Sequence, residues 1–204
     1  GIAADYAEKQ KYLKFTHNFD DDILSASRNM AKRYRCNTSH GQKIENYALQ
    51  IFDAMKKFHG LGTRERLLLQ IASILHDCGK FISLRDSSAC AYNIIMATEI
   101  IGLSHAEREI VAEVVRCNLD AFRYGEGSIR AGKLTAMLRL ANAMDRSHHG
   151  RLDDGKLQVK GNKLIISTSY AGNLALETMA VEDKADFFEE MFGIRPEIRQ
   201  KRRV

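Results

Sequence analysis

From Asp20 to His148 apolar side chains recur at three- and four-residue steps almost without a break, the spacing of one buried face along an α-helix. The pattern predicts helical segments over about Asp20 to Arg35, Ser39 to Phe58, Thr63 to Ile82, Ser88 to Ile101, Ser104 to Asn118 and Ala131 to His148. Local punctuation supports the cuts. Ser104 with Glu107 reads as a capping box, Gly102 closes the helix before it, and Gly60 with Gly62 parts two others. The segment from Thr63 is apolar around nearly its whole circumference through Leu67-Leu68-Leu69-Gln70-Ile71-Ala72, so it is expected at the centre of a bundle.

After Gly150 the period changes. Leu157 and Val159, then Gly161-Asn162, then Leu164, Ile166 and Thr168 alternate as a β-hairpin does, and Leu174 with Leu176 suggests a third strand. Helical spacing returns over about Val181 to Phe192 and is stopped by Gly193 and Pro196. The expected fold is therefore mainly α: a helical bundle over residues 1–150, with a small antiparallel β hairpin or sheet and a terminal helix over 151–204 packed on it.

Composition agrees. With 45% hydrophobic and 28% charged residues in 204, the chain is not a disordered one, and a single proline with no tryptophan suits long helices better than many short strands. The net charge is +5, but residues 195–204 hold five basic residues against Glu197 alone, a net +4. The remainder is nearly neutral, so no specific nucleic-acid partner is expected, and the basic end reads as a solvated terminus. Cys36, Cys78, Cys90 and Cys117 have no paired spacing and read as reduced, buried thiols. No apolar run nears the roughly 18 residues of a membrane span and residues 1–10 lack a signal-peptide pattern, so a cytoplasmic location and no membrane are expected.

The string Ile74-Leu75-His76-Asp77-Cys78-Gly79-Lys80 places an imidazole and a carboxylate at the end of the central helix. A buried carboxylate there needs a cation or strong donors, whether a metal shared with His76, an Arg, or backbone N–H groups. Two more ligand types fall on inward faces. His40 lies one turn before Ile44 on the stripe through Ala48, Ile51 and Met55, and Asp145 continues the stripe of Leu134, Leu138 and Ala141. His40, His76, Asp77 and Asp145 make a mixed N/O set suited to one divalent transition metal, Mn, Fe, Ni, Co or Zn, rather than to calcium. Such an ion polarises a phosphoryl group and activates a water. Asp77 is then both ligand and water-orienting catalytic residue, and Lys80, one turn from His76, is placed as a catalytic point charge for phosphate.

The order His40, then His76-Asp77 within L-H-D-C-G-K, then Asp145 resembles the H…HD…D signature of the HD metal-dependent phosphohydrolase superfamily. Beyond it, G-I-A-A-D-Y-A, S-A-C-A-Y-N-I-I, G-L-S-H-A-E-R-E-I-V-A-E-V-V-R, L-R-L-A-N-A-M-D-R-S and N-L-A-L-E with F-F-E-E-M-F-G resemble the C-terminal domain of the exopolyphosphatase and guanosine pentaphosphate phosphatase (Ppx/GppA) family over nearly the whole chain. The resemblance implies an HD-type helical bundle, with His40, His76, Asp77 and Asp145 as metal ligands. It also implies a polyphosphate or nucleotide substrate, a homodimer, and an upstream actin-like phosphatase domain in a longer parent chain. Relatives often carry His near Asn118 and near Ser87 or Ser88, where other HD enzymes recruit a second metal, so one metal rather than two is expected here.

Other residues are assigned more plainly. His17, His59 and His105 are expected at the surface. His148 and His149 follow Asp145 closely, and a frayed helix end is the expected reading, the other being a reach toward the metal. Arg116 and Arg146 are candidate substrate-binding residues, and these two or Arg139 can instead pair with Asp77 and Asp145. The reading is a metal-dependent phosphohydrolase of the Ppx/GppA family cleaving phosphoester or phosphoanhydride bonds; the alternative is a non-catalytic polyphosphate-binding and dimerisation domain.

Overall fold

The computed structural model describes residues 19–122 and 128–200. The fold is mainly α. Helices α1 (Phe19–Arg33), α2 (Thr38–Ala54), α3 (Lys56–His59), α4 (Thr63–Leu75), α5 (Ser87–Ala97), α6 (His105–Cys117) and α7 (Ile129–Met144) form the bundle, with a 3-10 turn, Cys78–Phe81, after α4. Then come β1 (Lys156–Lys160), β2 (Lys163–Thr168), α8 (Ala175–Phe192) and β3 (Arg195–Gln200).

The expected central helix is central. Leu68, Leu69, Ile71, Ala72 and Leu75 of α4 are fully buried, and α4 packs against α1, α2, α6 and α7. α7 is the second buried helix, closing Leu134, Met137, Leu138, Leu140, Ala141 and Met144 between α2, α6 and α8. Each buried Leu or Ile contributes about 2 kcal/mol relative to exposure, so these two helices anchor whatever their ends carry. The expected capping box forms: Ser104 Oγ accepts the Glu107 N–H at 3.3 Å, and Glu107 Oε2 accepts the Ser104 N–H at 2.8 Å.

The hairpin also forms, with Leu157 opposite Ile166 and Val159 opposite Leu164. The third strand lies elsewhere than expected. Leu174 and Leu176 fall at the start of α8, whose Val181, Ala185 and Phe188 are buried at helical spacing. The place beside β2 is taken by β3, in parallel, with Leu164 opposite Pro196 and Ile166 opposite Ile198. α8 is thus a crossover between two parallel strands, and Pro196 is tolerated because β3 is an edge strand.

The basic end is correspondingly not a solvated terminus as far as Gln200. Arg195 Nη1 donates to Asp186 and Glu189 and its Nη2 to Glu182, stapling β3 to α8; residues 201–204 lie outside the described residues. His59 is also corrected, since it is fully buried rather than at the surface. Its Nε2 donates to the Phe52 carbonyl at 3.0 Å and its Nδ1 accepts the Leu61 N–H at 2.8 Å, so the ring pins the corner between α3 and α4. His105 is exposed, and His17 lies outside the described residues. All four cysteines are free thiols, Cys78 and Cys117 buried and Cys36 and Cys90 partly so. Among the described residues no helix is long and apolar enough to cross a membrane.

Candidate metal centre

The end of α4 builds half of the site locally. The helix's last carbonyls lack intrahelical partners, and the Ser73 carbonyl accepts the His76 Nδ1–H at 2.8 Å. That bond sets the tautomer and leaves the lone pair on Nε2. This Nε2 is buried without any hydrogen-bond partner, with Asp77 Oδ1 3.4 Å away. Burial lowers the His76 pKa and outweighs the pull of Asp77, so the ring is neutral. A neutral imidazole whose other nitrogen is held by a carbonyl is the form that ligates a divalent metal.

Gly79 makes this corner possible. A Cβ there would stand 1.8 Å from the Ser87 carbonyl oxygen and 2.6 Å from the Ala91 nitrogen, so only glycine lets the turn seat on α5. The turn returns Lys80 to Asp77, Nζ to Oδ1 at 2.7 Å. For Asp77, burial raises the carboxyl pKa, yet with the Lys80 ammonium hydrogen-bonded to it the group stays below its ordinary range.

The other half is assembled over long sequence distances. His40 sits in the first turn of α2, its backbone N–H accepted by the cap residue Asn37 at 3.1 Å. Its Nδ1 lies 2.9 Å from Asp145 Oδ2, and Asp145 Oδ1 accepts the Gly150 N–H at 2.8 Å. Burial pushes the Asp145 carboxyl up, but these hydrogen bonds from His40 and Gly150 prevail and keep it ionised. The His40 ring meets His76 edge-on at 5.4 Å and stacks on His148 at 3.9 Å.

One ligand atom each from His40, His76 and Asp77 lies within 4.8 Å of the others, and so does one each from His40, Asp145 and His148. His40 belongs to both groups. Nitrogen and carboxylate ligands stand about 2.1 Å from a transition metal, so opposite ligands are about 4.2 Å apart, the spacing within each triad; among the described residues Asp145 and the His76–Asp77 pair fall in different triads joined by His40. The orphaned His76 Nε2 and the mixed donor set are what such an ion requires.

His148 is not a frayed helix end. α7 stops at Met144, and the chain turns through His148 at φ 59 before Gly150. One reason is local, since Asp145 Oδ1 takes the Gly150 N–H, and one is tertiary, since the Ser147 N–H is accepted by Glu177 Oε1 at 3.2 Å. Glu177, fully buried on the first turn of α8, also faces Arg151, Nη1 to Oε2 at 3.7 Å. Nothing in the helical spacing marks Glu177, and for His148 the proximity to Asp145 in sequence is the only signal.

With this geometry in place, the comparisons with known proteins are direct. A family model described as Ppx/GppA phosphatase, domain III matches residues 24–183. The chain belongs to the Ppx/GppA phosphatase family. It is also 24% identical over 157 residues to a guanosine-5'-triphosphate,3'-diphosphate pyrophosphatase of Photobacterium profundum. That match covers 74% of this chain and 32% of the relative, so the chain spans about a third of its relative's length.

In this Ppx/GppA domain two hollows reach the cluster. One of about 230 Å³ is lined by Tyr34, Arg35, Asn37, Asp77, Lys80 and Phe81. The other, about 570 Å³, lies between α7, α8 and the end of α6 and is walled in part by Arg146 and His148. Arg146 therefore stands beside the cluster. Arg116 is engaged elsewhere, with Nη2 2.7 Å from Glu113 Oε2 and its guanidinium 5.1 Å over the Tyr92 ring. Arg139 donates to the Cys117 and Asp120 carbonyls and lies over Phe187.

Proposed function

We propose that this Ppx/GppA domain is a metal-dependent phosphohydrolase, cleaving a phosphoester or phosphoanhydride bond with a single divalent transition metal. The observation that carries the reading is the buried, proton-free and unpartnered Nε2 of His76, set beside His40 and Asp77, with Asp145 reached through His40. His40, His76, Asp77 and Asp145 would hold the ion, with His148 as a further donor beside His40. When bound, such an ion supplies Lewis-acid polarisation of a phosphoryl oxygen and lowers the pKa of water.

The chain's own residues do the rest. Asp77 holds Lys80 at 2.7 Å, which aims an ammonium toward a phosphate oxygen, and Asp77 is the carboxylate placed to orient the attacking water. Asp145 fixes the His40 ring through Nδ1 and so presents its Nε2. Arg146, on the same turn as Asp145 and His148, is placed to neutralise substrate charge. The relative's name points to a guanosine polyphosphate, and the family to phosphate-bearing substrates of that general kind. The segment after residue 150 completes the site by holding the 145–150 turn through Glu177.

Elemental analysis of the purified chain tests this. About one equivalent of a transition metal is expected in the wild type and little in His76→Ala purified in parallel. A wild-type chain that stays empty after reconstitution with Mn²⁺, Fe²⁺, Co²⁺, Ni²⁺ and Zn²⁺ overturns the reading.

A further inference from the structure

We propose that Arg35 and the hollow of about 230 Å³ beside Asp77 form a subsite for a second phosphoryl group, joined through a bridging oxygen to the phosphoryl group at the cluster, and that Arg35 thereby selects phosphoanhydride-linked substrates over single phosphates. The proposal rests on the phosphohydrolase reading for what happens at the cluster, while the hollow's own residues carry the second contact.

The first observation is where Arg35 stands. α1 ends in two backbone hydrogen bonds, from the Cys36 N–H to the Ala31 carbonyl at 3.0 Å and from the Arg35 N–H to the Lys32 carbonyl at 3.1 Å. This pair of bonds stops a helix by passing the chain through one left-handed residue, a place usually held by glycine. Here that residue is Arg35, at φ 50. A residue with a Cβ is strained in that conformation, and glycine would close the helix with less strain. The turn alone therefore does not explain an arginine.

The second observation is what its side chain does. Arg35 is exposed, and among the described residues its guanidinium makes no hydrogen bond or ion pair. It lies over the Phe81 ring, Cζ 5.9 Å from the centroid, and Phe81 is met edge-on by the Tyr34 ring at 5.9 Å. The rings hold the guanidinium over the hollow through its face and leave its N–H donors open.

The third observation is what stands across from it. Lys80 lines the same hollow, held to Asp77 Oδ1 at 2.7 Å, and so does Asn37, whose Oδ1 takes the His40 N–H and whose amide hydrogens have no partner among the described residues. A guanidinium, an ammonium and an amide NH₂ thus offer donors to one space, and the one carboxylate among its lining residues, Asp77, is already paired with Lys80. Phosphoryl oxygens at neutral pH accept and do not donate, so they match this lining, and the guanidinium fork takes two of them at once. The hollow is smaller than the roughly 300 Å³ of pockets that enclose a drug-sized ligand, which suits a phosphoryl group and not a nucleoside. Asp77 belongs to both the hollow and the cluster, so a group seated at Arg35 adjoins one seated at the ion.

The test is calorimetric titration of the metal-reconstituted chain with inorganic phosphate and with pyrophosphate, which differ by one phosphoryl group. Salt at about 150 mM damps exposed-charge attraction. Excess magnesium keeps the free anion from stripping the site, and metal content is checked before and after. Wild type is expected to bind pyrophosphate about tenfold or more tighter than phosphate, and Arg35→Gln to weaken pyrophosphate about tenfold while moving phosphate less than about twofold. Arg35→Lys should recover only part of the loss, since an ammonium lacks the fork. Arg35→Gly should lose the preference for pyrophosphate yet melt no lower than wild type, because glycine suits φ 50. A wild type without that preference, or an affinity ratio unmoved by Arg35→Gln, overturns the proposal. Pyrophosphate bound through Arg35 but never hydrolysed sinks the phosphohydrolase reading and leaves the subsite standing. Pyrophosphate hydrolysis abolished by His76→Ala, with a KM indifferent to Arg35→Gln, does the reverse.

Discussion

The corner at residues 76–80 and the turn at 145–150 bring residues to the same cluster, yet they are held in different ways. The first is built from its neighbours: His76 bonds the carbonyl three residues back, Lys80 returns to Asp77 within one turn, and Gly79 seats the corner on α5. The second also has local bonds, from the Gly150 N–H to Asp145 Oδ1 and from the His148 N–H to the Asp145 carbonyl, but it leans on distant partners as well. His40, 105 residues from Asp145, and Glu177, 30 residues from Ser147, hold it, and Asp153 just beyond accepts the Tyr47 hydroxyl at 2.5 Å. The local corner depends on its own helix and on α5, while the distal turn depends also on α2 and α8 docking against α7. The difference teaches that the two halves of the cluster should fail separately.

The largest effect is expected at the local corner. Gly79→Ala drives a Cβ into backbone atoms that cannot rotate away, so it should cost about 3 kcal/mol and lower the melting temperature by roughly 10 °C in thermal denaturation. A variant melting within about 2 °C of wild type would show that the corner is not held by this contact. At the distal turn, Glu177→Ala removes the acceptor of the Ser147 N–H and should cost about 2 kcal/mol. It should also weaken metal affinity roughly tenfold or more while leaving His76 in place, with Glu177→Gln recovering much of both. Equal metal affinity in Glu177→Ala and wild type, by competition with a chelator, would sever the turn from the site.

Asp145→Asn sharpens the comparison further. It keeps an acceptor for Gly150 but removes the negative charge facing His40, so metal content should fall while the α7 packing stays intact. Unchanged metal content in elemental analysis would remove Asp145 from the site. The smallest effect concerns acid. The Arg64 guanidinium, with lesser help from Ser104, holds the Glu107 carboxyl at about 2, against an ordinary 4.5. A carboxyl depressed by folding adds stability that is complete above its ordinary value and lost as pH falls from there toward about 2. Acid unfolding of Glu107→Gln should therefore be flatter than that of wild type below about pH 4.5 and alike above it. This clamp joins α4 to α6 away from both halves of the cluster, so metal content should not change with it.

What is legible in the sequence follows the same division. The helical bundle, the central place of α4, the Ser104 cap and the β1–β2 hairpin are readable because each rests on periodicity or on a pairing a few residues apart. His40 and Asp145 are readable as inward-facing because each continues an apolar stripe, and His76 because it ends a helix that is apolar nearly all round. Where they meet, and how closely, is not. Helical spacing runs past the true end of α7 because Asp145 and the residues after it find better partners outside the helix than within it. His59 reads as a surface residue because a polar ring beside a glycine looks exposed until the Phe52 carbonyl and Leu61 N–H close over it. Leu174 and Leu176 read as a strand because alternation over three residues cannot be told from the start of a helix.

The amino-acid sequence by itself determined that this chain forms a mainly helical body with a short β element, and that two imidazoles and one carboxylate face inward, because burial periodicity is a local property of the chain. Only the tertiary structure decided that His148 turns back onto His40, that Glu177 from α8 holds that turn, that the basic end becomes a parallel strand, and that Arg35, Asp77 and Lys80 line one hollow beside the cluster. Each of those outcomes depends on which surfaces meet, and a hydrogen bond spanning 105 residues leaves no trace in the spacing on either side of it.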